Sequence, residues 1–491
     1  MNKSAPIPTA TSSGDLTKRE KILYGVGYVP DSIMNNTFFA LMMIAYNVEF
    51  GLKASLVSLA MSLPRIYEAF IDPLVGSLSD RWKSRWGRRR PFLLAGSVLG
   101  AIFCVALWSP PFRAGGSFLG WPGEWMLFGW LMLAAFLYYT AYAIYTVPYL
   151  ALGLGMTTND QARSGLMGYR VAANNLILCT IVPLAPWLVY QDWLGSTPAQ
   201  SLVAVGLLLA VLIAGTGGVA AFLTREGPVS TIPDSKPATK HSVLRDLKDV
   251  LKNKPFLMVV GIVSFNLISL GAIMSLAFFL MFSIVYPGGT PEDKNRIVTL
   301  SSVGGVVGNI LGMLVAPYVA GLSARFGRRR LLLFALANMI LAYLVSPLVF
   351  SPTYPWLFLI FKLQTTFSLT CVWILTLSML ADVSDMDELE NGSRRDGLFS
   401  SMFNWGTKVA MSVSAVAAGL AIDFSGFDAK LGLQSPETIS FLRWFFALAP
   451  VPFFAACVYF TMVFPYSPDR TAKLRAAKLA DERPEPAANP T

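Results

Sequence analysis

About twelve stretches of roughly 20 or more mostly apolar residues run through this chain, each long enough to cross a hydrocarbon layer about 30 Å thick. They lie near 24–48, 54–79, 91–109, 125–152, 166–190, 201–224, 256–285, 298–322, 331–350, 355–381, 397–422 and 441–465. Inside lipid a backbone can satisfy its own polar groups only as helices or as a closed barrel, and runs of this length are helical. The expected fold class is therefore an all-α membrane protein with twelve transmembrane helices. Composition agrees, because only 14% of the 491 residues are charged, against roughly 25% in soluble globular proteins. Soluble multidomain enzymes, collagen-like chains and disordered chains are excluded. The net charge of +10 does not point to nucleic acid, since the basic residues sit between apolar runs and not on one patch. The lipid bilayer is the anionic partner expected.

The longest polar interruption, 225–255, holds Pro228, Pro233, Pro237 and a Lys/Asp-rich segment at 243–252. It divides the chain into a tail at 1–23, a six-helix half at 24–224, a central loop, a second half at 256–466 and a tail at 467–491. The segment 243–252 fits a short amphipathic helix, which could be regulatory or only join the halves. Residues 1–13 are polar and lack an apolar core, so no cleaved signal peptide is expected. Alternate loops carry the basic residues: Lys18, Arg19 and Lys21, then 81–90, the central loop, 325–330 and the tail from Arg470. By the positive-inside rule that set, with both termini, is cytoplasmic. Trp108, Trp121, Trp125, Trp187, Trp193 and Trp356 then fall at the outer interface, where an indole prefers to sit. A repeat supports the division in two. Arg85-Trp86-Gly87-Arg88-Arg89-Arg90 follows span 2, and Arg325-Phe326-Gly327-Arg328-Arg329-Arg330 follows span 8, which reads as two related six-helix halves.

Cys104, Cys179, Cys371 and Cys457 are isolated in apolar runs, and His241, the single histidine, lies in the central loop. A disulfide framework, a zinc site and a Ser-His-Asp triad have no support, and no nucleophile-base pair or phosphate loop is visible, so no enzyme, cofactor or metal is expected. Ionisable residues within spans are costly and are functional candidates by default. These are Asp31, Arg65, Glu68, Asp72, Lys362 and Lys408, with Arg170 close to a helix start. Arg65, Glu68 and Asp72 are spaced i, i+3, i+7, which sets a guanidinium and two carboxylates on one helix face. Two such carboxylates cannot both ionise cheaply in a low dielectric unless a cation or Arg65 compensates them, which suits a cation or proton site. Pro73 frees the Ala69 carbonyl beside them. A plain structural network tying helices together is the alternative. Lys408 in span 11 sits too deep to snorkel easily, whereas Lys362 lies within about two turns of its span's outer end. Asn35, Asn36, Asn174, Asn175, Asn266, Gln364 and Asn404 suit a hydroxyl-rich ligand or serve as helix glue.

These motifs resemble the glycoside-pentoside-hexuronide:cation symporters, the melibiose-permease branch of the major facilitator superfamily. The resemblance covers most of the chain. It rests on 24–27 (Tyr-Gly-Val-Gly), on 65–73, on Gly87-Arg88-Arg89-Arg90-Pro91-Phe92, and on the acidic stretch 382–389 with Gly392-Ser393-Arg394-Arg395-Asp396-Gly397. The stretch 84–92 is also similar to plant sucrose carriers. The resemblance implies a major facilitator fold in which Glu68 and Asp72 bind the coupling cation. It further implies that Lys408 links cation and sugar sites, and that Arg170 belongs to the sugar pocket. There are departures. The family's span-1 aspartate aligns on Ser32, leaving Asp31 one residue away; its span-4 aspartate falls on Thr146 and its stacking tryptophan on Leu150. The acids that grip galactoside hydroxyls are thus not reproduced. Ile71 and Ala143 replace two sodium-ligand positions, so a proton is favoured over sodium as coupling ion.

The reading is a cation-coupled symporter that brings a sugar or glycoside into the cell by alternating access, expected as a monomer in a bacterial inner membrane. Asp31, Asn35, Thr146, Tyr142, Asn404 and Arg170 are the candidate substrate contacts, and Arg65, Glu68, Asp72 and Lys408 the coupling residues. Asp80, Arg88, Arg89, Arg90, Arg328, Asp385, Arg394 and Arg395 are candidate gate residues, although the two basic turns could serve only as topology anchors. Alternatives are sodium coupling, a lysophospholipid carrier and a sugar receptor that does not transport.

Overall fold

The computed structural model describes residues 16–226 apart from Lys83, Leu119, Thr158, Asn159 and Arg225, and residues 252–286, 290–391, 396–427 and 433–465. Arg394 and Arg395, the segment 243–252 except for Lys252, His241 and most of both tails lie outside these residues. The described residues form twelve helical rods. Span 1 runs through Lys18–Gly27, Val29–Met42 and a π-helical stretch Met43–Glu49. Spans 2 to 4 are Ala54–Arg81, Arg90–Trp108 and Gly123–Gly155. Span 5 joins Asp160–Cys179 to Ile181–Val189, and span 6 is Pro198–Leu223. Span 7 joins Lys254–Leu280 to π-helical Met281–Val285. Spans 8 to 11 are Pro291–Phe326, Arg328–Val349, Leu357–Asn391 and Asp396–Phe424. Span 12 is Pro436–Leu448 with Val451–Val463.

Among the described residues nine helices are long and apolar enough to cross a membrane. Span 2 falls short on apolarity because Arg65, Glu68, Asp72, Asp80 and Arg81 all lie in it, and span 1 because its regular helix is interrupted at Tyr28. Large apolar side chains such as Val211, Leu348 and Phe424 stand exposed on these rods, as a lipid solvent requires. A two-residue hairpin, Ser117–Phe118 with Trp121–Pro122, is a feature that apolar periodicity does not signal; Gly120 turns it at φ +80°.

The chain divides into two compact units, one of Met1–Leu52 and Leu63–Ser235, the other of Lys53–Ser62 and Lys236–Thr491. In the first, a row of tyrosines on span 4 fastens span 1. The Tyr145 hydroxyl donates to the Gly27 carbonyl (2.5 Å), Tyr149 to that of Tyr24 (2.7 Å) and Tyr138 to that of Met34 (3.2 Å). Span 1 is broken at Tyr28, ahead of Pro30, and this is where the Gly27 carbonyl takes its side-chain donor. Trp108 ends span 3 and is packed inside the helices. It is 1% exposed and packs on Gly206, whose missing side chain leaves room for the indole. Trp121, Trp125, Trp193 and Trp356 are exposed.

In the second unit, Gly304, Gly308 and Gly312 of span 8 lie against Lys362, Thr366 and Thr370 of span 10. Small residues let the two backbones approach closely. Asp423 at the end of span 11 accepts the Ala54 and Ser55 amides at 3.2 and 3.1 Å, capping a helix start. Ser62 and Ser412 exchange hydroxyl-to-carbonyl bonds at 2.9 and 3.3 Å.

Candidate functional site

Span 2 presents Arg65, Glu68 and Asp72 along one face, as their spacing requires. Arg65 Nη1 donates to Glu68 Oε2 at 2.7 Å, and both residues are buried, at 8% and 3% exposure. The guanidinium also lies 5.6 Å from the Tyr139 ring centre and 6.0 Å from that of Phe39, an aromatic cradle that favours a cation. Its Nε has no acceptor among the described residues. Asp72, one turn beyond Glu68, is half-buried.

Span 1 supplies a second polar group. Asp31 Oδ1 accepts from the Thr146 hydroxyl of span 4 at 2.6 Å, and the Tyr28 and Tyr142 hydroxyls also bear on this carboxylate. Arg170 from span 5 lies 4.6 Å from the Tyr28 ring centre and acts on Asp31 through space. The fold therefore gathers four residues selected as substrate contacts, Asp31, Thr146, Tyr142 and Arg170, from three spans. Beside them Ser32 donates to Asn174 Oδ1 at 2.9 Å, and Asn36 Nδ2 donates to the Ser32 carbonyl and hydroxyl at 2.9 and 3.2 Å. Asn35 Oδ1 is buried without a donor among the described residues. Lys408 and Asn404 lie on span 11 of the second unit, half-buried and exposed respectively. That unit holds its own amide cluster, in which Asn338 Nδ2 donates to Ser368 Oγ at 2.7 Å and Gln364 Nε2 to Asn338 Oδ1 at 2.9 Å.

The basic turns share a positive-φ glycine, Gly87 at φ +104° and Gly327 at φ +85°, a region glycine enters without a Cβ penalty. In the first turn Arg89 pairs with Asp80 at 3.2 Å and also donates to the Ala151 carbonyl. Arg90 donates to the carbonyls of Ala221 and Phe222 at 2.6 and 2.5 Å. In the second, Arg328 pairs with Asp382 and Arg329 donates to the Met462 carbonyl. Asp80 lies seven residues before Gly87, whereas alanine stands seven before Gly327, so the second turn takes its acid from span 10. Asp385 falls in the span-10 helix; its side chain lies outside the described ones.

A family model described as MFS/sugar transport protein matches residues 23–468. The chain belongs to this family. Two relatives from Escherichia coli (strain K12) are 26% identical to the transporter. The inner membrane symporter YicJ covers 89% of each chain, and the putative glycoside/cation symporter YagG covers 90% of each. A solved structure of a bacterial homologue of the human lysosomal transporter Spinster superposes with a TM-score of 0.66 at 15% identity, over 93% of this chain and all of that one. The transporter thus has the major facilitator fold, is a multi-pass membrane protein, and belongs with the glycoside-pentoside-hexuronide:cation symporters as a secondary transporter and not an enzyme.

One residue of this transporter escapes any reading of its sequence. Glu226, three residues past span 6, accepts the backbone amides of Arg88, Arg89 and Arg90 at 2.9, 2.7 and 3.1 Å. A lone glutamate in a polar loop carries no pattern. Its only signal would have been the anion-binding tendency of successive amides after a positive-φ glycine.

Proposed function

We propose that the transporter imports a sugar or glycoside together with a coupling cation, a proton in preference to sodium. The observation that carries this reading is the buried Arg65–Glu68 pair with half-buried Asp72 one turn on, in a chain of the sugar-transport family. Glu68, held by Arg65, and Asp72 together bind the cation, and their charge changes when it does. Lys408 and Arg170 sense that change. Asp31, Asn35, Tyr142, Thr146 and Asn404 offer hydrogen bonds to a hydroxyl-rich ligand, which a hydrophobic pocket would not select. The name of the relative YagG, a putative glycoside/cation symporter, supports the substrate class, and that of YicJ supports an inner membrane. The basic loops support cytoplasmic termini. Asp80, Arg88, Arg89, Arg90, Arg328, Asp385, Arg394 and Arg395 form the gate on that side, and the working unit is a monomer.

Uptake of a labelled panel of glycosides and monosaccharides into proteoliposomes tests the reading, without sodium, under an inward proton gradient, with and without protonophore. Protonophore-sensitive accumulation of a sugar that Asp72→Asn abolishes is the expected result. Uptake only with sodium would reverse the choice of cation. Normal accumulation by Asp72→Asn would overturn the mechanism. Uptake of no sugar in either medium would overturn the substrate class and bring forward a lysolipid carrier or a receptor.

A further inference from the structure

Two acidic side chains are buried among the helices of the first unit, and their partners differ in kind. Glu68 faces Arg65 at 2.7 Å. A guanidinium only donates and stays charged, so it suits the ionised acid alone. Asp31, 5% exposed, has hydroxyl partners: Thr146 at 2.6 Å, with Tyr28 and Tyr142. No described cation lies within ion-pair distance of it. Arg170, which acts on it through space, is drawn to the Tyr28 ring. The phenols of Tyr24 and Tyr145 also face it. Span 6, which packs on span 1 as well, has no charged residue in its sequence.

Hydroxyls donate or accept with equal ease. Thr146, Tyr28 and Tyr142 can hold Asp31 as a carboxylate by all donating to it, or as a carboxylic acid when one of them accepts its single O–H and the others donate. A buried ionised carboxylate without a close counter-ion is costly, and taking up a proton relieves that cost. We propose that Asp31 is a proton-binding site in its own right, separate from the span-2 carboxylates, which gains and loses its proton while enclosed by hydroxyls. The site deepens the symport reading by naming a carrier for the proton, but its test does not depend on transport.

Protons alone serve as the probe. Infrared difference spectra of the full-length protein in bilayer discs, recorded between buffers of different pH, should show the carbonyl stretch of a protonated carboxylic acid. A share of that band should be lost in Asp31→Asn, remain in Glu68→Gln and Asp72→Asn, and titrate with a moved midpoint in Thr146→Ala. A band of undiminished size in Asp31→Asn overturns the proposal. If Asp31→Asn does not fold, Asp31→Glu keeps a carboxyl one methylene longer and must displace the band; an undisplaced band overturns the proposal equally. Proton-driven uptake measured on the same wild-type protein separates the two readings. A titrating Asp31 band without any uptake sinks the symport and leaves the site.

Discussion

A guanidinium and a carboxylate taken out of water together each lose several kcal/mol of hydration, which their attraction offsets only at close range. Arg65 and Glu68 meet that condition at 2.7 Å, with Tyr139 and Phe39 around the cation. Glu68→Gln leaves the cation enclosed and uncompensated, which should cost about 3–5 kcal/mol. Thermal unfolding in detergent checks this: the single variant should melt well below wild type, and Arg65→Met with Glu68→Gln should recover part of the loss. Equal melting of single variant and wild type would mean that the pair contributes nothing to stability. The pair was legible in sequence because positions three apart share a helix face. The bond from Thr146 to Asp31 spans 115 positions, and no period of a helix links such residues. Both were selected singly, from the expense of a carboxylate in lipid and from alignment to a family; their meeting was not.

At the scale of elements, the Gly87 turn is held by three amides converging on one carboxylate. Glu226→Ala removes every acceptor, whereas Glu226→Gln retains a single carbonyl oxygen. Leaving buried amides without acceptors costs about 1–3 kcal/mol, an upper bound for these part-buried ones. Hydrogen exchange at 88–90 should therefore quicken in both variants, more in the alanine; unchanged exchange would show that water replaces Glu226 without loss. Gly327→Ala tests the repeat, since a Cβ in the left-handed region costs about 1–2 kcal/mol; a variant with the wild-type melting temperature would show the second turn relaxing to another conformation. Twelve rods were legible here, because hydropathy over 20 residues is a strong signal in lipid. Their interruptions were not. The break at Tyr28 depends on the Tyr145 hydroxyl reaching Gly27, a tertiary contact that satisfies what the broken helix leaves open. The burial of Trp108 depends likewise on Gly206 of another span.

At the scale of the molecule, the question is what charge crosses the membrane in one cycle. A neutral sugar carried with one proton or one sodium ion moves one positive charge inward. One charge across 100 mV is worth about 2.3 kcal/mol, enough for a concentration ratio of about 50. Proteoliposomes given a potassium diffusion potential, negative inside and with no pH gradient, should therefore accumulate substrate by about that factor when the potential is 100 mV. Initial rates should rise with the potential, and collapsing it with external potassium should abolish the excess. Asp72→Asn should still exchange labelled for unlabelled substrate at equal concentrations, because exchange needs no net charge movement, yet should fail to respond to the potential. Accumulation indifferent to the potential in wild type would sink one-charge symport of a neutral sugar. It would then require a substrate bearing its own negative charge, so that the loaded transporter crosses without net charge. A response in Asp72→Asn equal to wild type would move the coupling charge away from span 2 altogether, and the buried carboxylate of Asp31 would be the next group to neutralise.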